Sequence, residues 1–378
     1  MSESLLSAIR DNVPYSRPEN PNSHSAPRVG FVGLGTMGYL MAQNLANHRA
    51  SLPNEHSPLL IWNRTKQKSE NLLDALGKDK IRIAQDPGQV ALECDVIIVN
   101  LANDFVVKSI YEKFTEALRR VPPSQNKIFV ETSTVSPEVY IYVVNLRLNP
   151  SLKIYPSLAG ELDALVSSIP HSHLITCPVF GRPEVAAKSQ LLIIMSGDYR
   201  SKKEVAYLLV PAIGRKVVDL GGNLEKALIF KLIGNSMILG SLEVLAEAYT
   251  LAQKSGIDAD NVHDLVQEIL PAPSIVGYSD KMAHDKFDGS VGGFSIDGGI
   301  KDASHIRRLT AEVNSPMPAI DVAHQHLLTA RAIHQSKKQA GKAKFETLEW
   351  SGIVAGTRVA AGLDGLDSKK HEHTVQQD

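Results

Sequence analysis

From Arg28 onward, short runs of apolar, often β-branched residues alternate with longer stretches in which apolar positions recur every three or four residues. "RVGFVGL", "PLLIWN", "DVIIVNL" and "KIFVET" have strand character. "MGYLMAQNLANH", "KQKSENLLDALG" and "DFVVKSIYEKFTEALRR", between them, have helical periodicity. Apolar strands, each followed by a helix, predict a parallel sheet covered on both faces. "HLITCPV", "LLIIMSG" and "RKVVDLG" extend the strand set. After Gly222 the texture is helical as far as about Arg358. The predicted architecture is α/β: a doubly wound sheet domain over 28–221, followed by an all-α helical domain over 222–360. The stretch 145–172 carries loop punctuation and one short helical patch, and is predicted to be an insertion.

The two ends have a different composition. Ser, Pro and Asn crowd "YSRPENPNSHSAP", which predicts disorder for 1–27. The polar end "SKKHEHTVQQD" predicts a solvated, disordered tail over 361–378. Of the 378 residues 43% are hydrophobic, enough for a real core in two domains of ordinary size. Lys and Arg number 40 against 41 Asp and Glu, a net charge of −1 with no long basic run, so no nucleic-acid partner is expected. Cys94 and Cys177 make no disulfide framework and suit a reducing compartment; each sits beside an apolar run that would bury it. No apolar run reads as long enough to cross a bilayer, and none forms a signal-peptide core. Glu3, Asp11 and Glu19 weigh against a mitochondrial transit peptide. The expectation is a cytoplasmic protein with no membrane partner.

Candidate chemistry begins at "GFVGLGTMG", which holds G-x-G-x-x-G at Gly33, Gly35 and Gly38. The first glycine permits a tight turn, the second lets backbone approach a pyrophosphate, and the third lets helix and strand pack closely. The motif follows a strand and opens a helix, the context that a Rossmann-type dinucleotide site requires. Leu34, Thr36 and Met37 share that turn, Leu101 ends the "DVIIVNL" run and Ala102 follows it; all five are expected to touch cofactor. An acid at the end of the second strand would select NAD through its ribose hydroxyls. Here "IWNRTKQK" supplies Asn63, Arg64, Thr65 and Lys68 instead. Arg64 is suited to a 2′-phosphate, with Thr65 donating a hydroxyl and Lys68 adding charge, so NADP is the expected cofactor. The plainer reading of that turn is a solvated basic surface.

"LEKALIFKLIGNSMILGSLEVLAEAYTLAQ" contains no proline and is apolar on nearly every side, the mark of a buried helix. It nevertheless carries Lys231 and, one turn later, Asn235. Burying an unpaired ammonium costs several kcal/mol. Lys231 therefore either snorkels or pairs with a carboxylate such as Glu225 or Glu243, or has a chemical purpose.

Several of these stretches together resemble the β-hydroxyacid dehydrogenases of the 3-hydroxyisobutyrate dehydrogenase type. "GFVGLGTMGYLMAQNL" is similar to that family's opening, and "ETSTVSP" to its Ser-Thr substrate loop. "CPVFGRPEVAAKSQLLIIMSGD" resembles its substrate segment, "KLIGNS" its catalytic helix, and "FSIDGGIKD" its late Phe–Lys–Asp motif, here Phe294, Lys301 and Asp302. The resemblance spans about 28–330, with five motifs in the family's order. It implies Lys231 as general acid/base and Asn235 as a substrate-holding partner on the same helix face. It also implies Ser133 and Thr134 beside the nicotinamide, with Phe294 and Lys301 on the cofactor. A small-molecule carbonyl or hydroxy substrate follows, as does pairing of two or more copies through the helical domain into a homodimer or higher oligomer.

One departure bears on substrate. Where the family commonly has Pro-Val-Ser-Gly-Gly, this chain has Pro178, Val179, Phe180, Gly181 and Arg182. Phe180 removes a hydroxyl donor, either lining the pocket or merely packing, and Arg182 offers a bidentate carboxylate clamp. A bulkier or less polar carbonyl compound then becomes a candidate. His324 and His326 are two apart on a helix, share no face, and predict no metal site. Gly292–Gly293 and Gly298–Gly299 predict a mobile loop. The alternatives are an imine reductase-like NADPH enzyme and a non-catalytic NADP-binding scaffold protein.

Overall fold

The computed structural model describes residues 12–16, 26–52, 57–136, 140–143, 152–155, 157–290 and 293–370. The chain divides into two compact units, 1–231 and 232–378.

The first unit is built on a nine-stranded sheet. Strands β1 (Val29–Val32), β2 (Leu59–Trp62), β3 (Ile81–Ile83), β4 (Val96–Val99) and β5 (Lys127–Glu131) are mutually parallel, in the order 3-2-1-4-5. Helices α1 (Thr36–Ala50), α2 (Lys66–Leu76), α3 (Pro87–Glu93) and α4 (Asp104–Arg120) connect them. Alternate side chains of β1, β2 and β4 enter different cores: Phe31, Ile61 and Ile98 go to one, Val32, Leu60 and Ile97 to the other. That is why these three runs carry no polar side chain.

Beyond β5, an antiparallel pair β6 (Tyr140–Val143) and β7 (Leu152–Tyr155) stands apart from the main sheet. Helix α5 (Leu158–Ser167) then leads into β8 (Ser172–Thr176), which pairs parallel with β5. Leu158, Leu162 and Val166 of α5 are buried in the same core as Phe114 of α4. The expected insertion over 145–172 is therefore corrected. Residues 157–172 hold an ordinary crossover helix, and the extra element is the β6–β7 pair; residues 144–151 lie outside the described residues. The sheet is completed by β9 (Val179–Phe180), β10 (Leu191–Gly197) and β11 (Gly214–Asp219). β10 is antiparallel to β8 and β9 and parallel to β11. Between them lie α6 (Pro183–Ala187) and α7 (Tyr199–Leu209).

The long helix α8 (Leu224–Lys254) explains why the units divide at Lys231 rather than near the expected 221. Its first turns belong to the sheet domain, where Leu228 is fully buried with β-sheet residues. From Leu232 onward it packs with α9 (Ala259–Ile269), α10 (Pro273–Ala283), α11 (Ile296–Glu312), α12 (Pro318–Gln339) and α13 (Val354–Ala360). Tyr278, Phe287, Leu327, Trp350 and Ile353 are buried in that second core. By length and composition α8 is also long and apolar enough to cross a membrane, contrary to the reading of the bare sequence. Its apolar positions instead serve two cores, which is what makes it hydrophobic all round.

The ends are more ordered than their composition suggests. Val13 and Tyr15 are buried in the sheet domain, and the Tyr207 hydroxyl donates to the Tyr15 carbonyl at 2.5 Å. Residues 1–11 and 17–25 lie outside the described residues. Within the expected tail, Leu363 and Leu366 are buried, and the Ser368 hydroxyl donates to Asp285 at 2.7 Å. Only 371–378 of it lie outside the described residues. Gly298 and Gly299 belong to α11 rather than a mobile loop. A side chain at Gly299 would press on Trp350 at 3.1 Å, so the glycine serves packing; Gly292 lies outside the described residues.

Candidate active site

Sequence order reverses across β1, with β2 on one side and β4 on the other. In open parallel sheets ligands bind at the carboxyl ends beside such a switch point. The loops after β1, β2, β4 and β5 are laced together there. Gly33 N–H donates to the Trp62 carbonyl at 2.9 Å, and Leu34 N–H to Asn63 Oδ1 at 2.9 Å. Asn100 Nδ2 donates to Thr132 Oγ1 at 2.9 Å, and Leu101 N–H to Ser133 Oγ at 2.7 Å.

The three motif glycines have three different physical reasons. Gly33 has φ of 99°, and a Cβ there would lie 2.1 Å from the Asn100 carbonyl oxygen. A Cβ on Gly38 would lie 2.1 Å from the Gly33 carbonyl oxygen. At Gly35 a Cβ would meet nothing within 4 Å. Packing thus demands the outer glycines, whereas Gly35 borders open space at the start of α1. Asp86, Asn103, Ser157 and Asp198 cap their helices through side chains. Helices α1, α2 and the short α6 lack such a cap, and neither α1 nor α2 has an acid in its first turn. Thr36, Met37 and Gly38 therefore offer their helix N-terminus to an anion. A dinucleotide pyrophosphate fits this set.

Arg64, Thr65 and Lys68 are exposed around the start of α2. Thr65 is the N-cap residue of α2 without using its hydroxyl to cap. Asn63 does something the sequence left unseen. Its Oδ1 receives Leu34 N–H while its Nδ2 donates to the Thr65 carbonyl at 2.9 Å, so it ties the glycine turn to the basic turn. Ser133 is likewise engaged within the protein. It is buried, its hydroxyl accepts from Leu101, and its N–H donates to Glu131 Oε1 at 2.7 Å. Thr134 and Leu101 are half-buried beside it, and Ala102 is exposed.

No motif marks Glu131, although a carboxylate ending the strand run "KIFVE" is a visible signal. It is fully buried, and burial pushes its carboxyl up to about 7 against the hydrogen bonds from Ser133. Tyr111 and Asp104 are the other ionisable groups that act on it.

The half-buried Lys231 also belongs to the first unit, and its Nζ lies 4.2 Å from the centroid of the Phe180 ring. Gly181 follows with φ of 144°. Arg182 begins α6, with its Nε 3.8 Å from Glu184 Oε2, so its guanidinium is not reserved for a ligand.

Asn235, Phe294, Lys301 and Asp302 lie in the second unit. Asn235 Nδ2 donates to Asp302 Oδ2 at 2.6 Å, and Lys301 Nζ lies 3.1 Å from Asp302 Oδ1. Phe294 packs edge-on against Trp350, centroids 4.8 Å apart, as part of the helical core. His324 contacts Ser304 and Arg307, whereas His326 contacts Glu243 at 2.6 Å.

Comparison with known proteins places the family and the fold. Residues 28–145 match the NAD binding domain of 6-phosphogluconate dehydrogenase. Residues 226–345 match the family described as NAD-binding of NADP-dependent 3-hydroxyisobutyrate dehydrogenase. The uncharacterized oxidoreductase YfjR of Bacillus subtilis is 25% identical over 327 residues, covering 86% of this chain and 98% of that protein. The NADH-dependent oxidoreductase ucdB of Aspergillus ustus is 26% identical over 291 residues, 77% of this chain and 88% of its own. The 3-hydroxyisobutyrate dehydrogenase of Mycobacterium tuberculosis, solved with L-serine, shares the fold. Its TM-score is 0.63 at 21% identity, over 88% of this chain and 99% of that one.

Proposed function

The chain belongs to the β-hydroxyacid dehydrogenase family of NAD(P)-dependent oxidoreductases, and from that premise we propose that it interconverts a carbonyl compound and its hydroxy product with NADPH. The substrate class is an aldehyde, semialdehyde or keto acid. The observation that carries the reading is the glycine turn, where Gly35 opens onto free space at an uncapped, acid-free helix N-terminus. Gly33 to Gly38 would hold the pyrophosphate, and Leu101, Ala102 and Thr134 would line the nicotinamide side. Arg64, Thr65 and Lys68 support NADP over NAD, since exposed cations and a free hydroxyl at a helix start suit a 2′-phosphate.

When bound, the nicotinamide supplies or accepts hydride. Lys231 donates a proton to the carbonyl oxygen in reduction and takes the alcohol proton in oxidation. Asn235, held by Asp302, presents its amide to the substrate. Ser133 and Glu131 shape the loop that carries Thr134. The half-buried Phe180 supports a substrate with an apolar substituent, because position 180 has no hydroxyl to receive a carboxylate.

The experiment is a panel of aldehydes, semialdehydes, keto acids and cyclic imines, with NADPH and NADH in parallel. Carbonyl reduction with NADPH preferred is the expected result. Turnover of imines alone would assign the chain to imine chemistry, and cofactor binding without any turnover would leave a scaffold.

A further inference from the structure

Phe180 offers no hydroxyl to a ligand, and its place in the sheet is fixed by its neighbours. It ends β9, registered opposite Leu192 of β10, with Val179 opposite Ile193. Gly181 then turns the chain in a conformation closed to side chains. A Cβ there would lie 2.6 Å from Leu191 Cδ2 and 2.9 Å from Val185 Cγ1. The ring meets Phe230 edge-on, with centroids 6.4 Å apart and planes at 77°. Phe230 is the residue before Lys231, so one aromatic contact fixes the ring against the turn of α8 that carries the amine. Lys231 Nζ then lies over the ring, 4.2 Å from its centroid.

A benzene face is electron-rich and attracts a cation, and it offers a neutral amine much less. The ring also restrains a side chain with four rotatable bonds, whose freedom is otherwise costly to a group that must meet a reacting atom. A serine in the same place would hydrogen-bond the amine or a ligand without confining either.

We propose that Phe180 is the positioning residue for Lys231, holding its ammonium on the ring face so that the proton donor is set before substrate arrives. This rests on the reading of Lys231 as the acid/base. Phe180 then acts through Lys231, and the specificity of this segment follows from it: the space beside the amine is walled by a ring.

The test uses the full chain with its lysines reductively methylated with ¹³C-formaldehyde. The Lys231 resonance is identified by its absence in Lys231→Met. A methyl group over an aromatic face is shifted upfield. That shift is expected in the unmodified sequence and in Phe180→Tyr, and is expected to vanish in Phe180→Leu and Phe180→Met. In parallel, unmethylated Phe180→Leu should lose roughly threefold to thirtyfold in kcat, the range a cation–π contact spans. KM for NADPH should stay unchanged, and Phe180→Tyr should retain turnover.

An unshifted Lys231 resonance, or one equally shifted in both ring-less variants, overturns the contact whatever Lys231 does. A shift lost in those variants with kcat unaltered overturns the positioning role. Retained turnover in Lys231→Met would overturn the acid/base reading instead, and the resonance separates that failure from loss of the contact.

Discussion

Asn235 donates its side-chain amide to the buried carboxylate of Asp302 at 2.6 Å, and Lys301 approaches the other carboxylate oxygen. A carboxylate oxygen accepts and an amide nitrogen donates, so it is the amide nitrogen of Asn235 that faces Asp302. The two residues should therefore behave as a unit. Asn235→Ala and Asp302→Ala should each destabilise the fold by about 1–3 kcal/mol. In a double-mutant cycle the two should couple by about 1–2 kcal/mol. Strict additivity in chemical denaturation would show that the contact does not hold Asn235.

Lys231→Met keeps the stem of the side chain and removes only the amine. Turnover should fall on the order of 10²–10⁴-fold, the usual share of a general acid. The dissociation constant for NADPH, measured by fluorescence titration, should stay within about twofold, because the proposed phosphate contacts are in the glycine turn and at the start of α2. A purely structural lysine predicts the reverse, with activity kept.

Arg64→Ala should weaken NADPH binding by about 1–3 kcal/mol, as losing a hydrogen bond to a charged group does. NADH binding should hardly change. Cofactor titrations at two ionic strengths check this, since a phosphate contact made by an exposed Arg weakens with salt. Equal affinity of the unmodified chain for both cofactors would remove NADP from the assignment.

Glu131 makes stability depend on pH in a stated direction. Burial raises its folded pKa to about 7 from an ordinary 4.5, so the folded state binds this proton more tightly than the unfolded one. The stabilisation is complete below about 4.5 and is lost as pH rises through 7. Glu131→Gln keeps an acceptor for Ser133 N–H and removes the titration. Its Tm relative to the unmodified chain should rise from pH 5 to pH 8. A constant difference across that range would place the carboxyl at its ordinary value.

On α8, Met237, Val244 and Leu251 recur every seven residues with exposures of 70%, 61% and 69%. A stripe of that spacing suits a second helix packed along it. Light scattering at micromolar concentration should show a dimer or larger, and Val244→Asp should lower the mass toward a monomer. A monomeric unmodified chain would contradict pairing through this face.

Periodicity alone determined the alternation of strand and helix, the change to helices, and the glycine turn with its basic neighbour, because each is a local pattern of side chains. The same holds for the anomaly of Lys231, a charge within an apolar helix. What the tertiary structure decided depends on groups far apart in sequence. Asn63 and Ser133 are read as ligands until their partners, Leu34 and Leu101, appear 29 and 32 residues away. Glu131 gains its perturbed proton only when a strand end is closed off from water. The boundary moved to Lys231 because the first turns of α8 find their core in the sheet domain, a choice that an all-round apolar helix leaves open. Likewise 12–16 and 361–370 fall within end segments expected to be disordered, yet Tyr15, Leu363 and Leu366 are buried by contacts that no local pattern encodes.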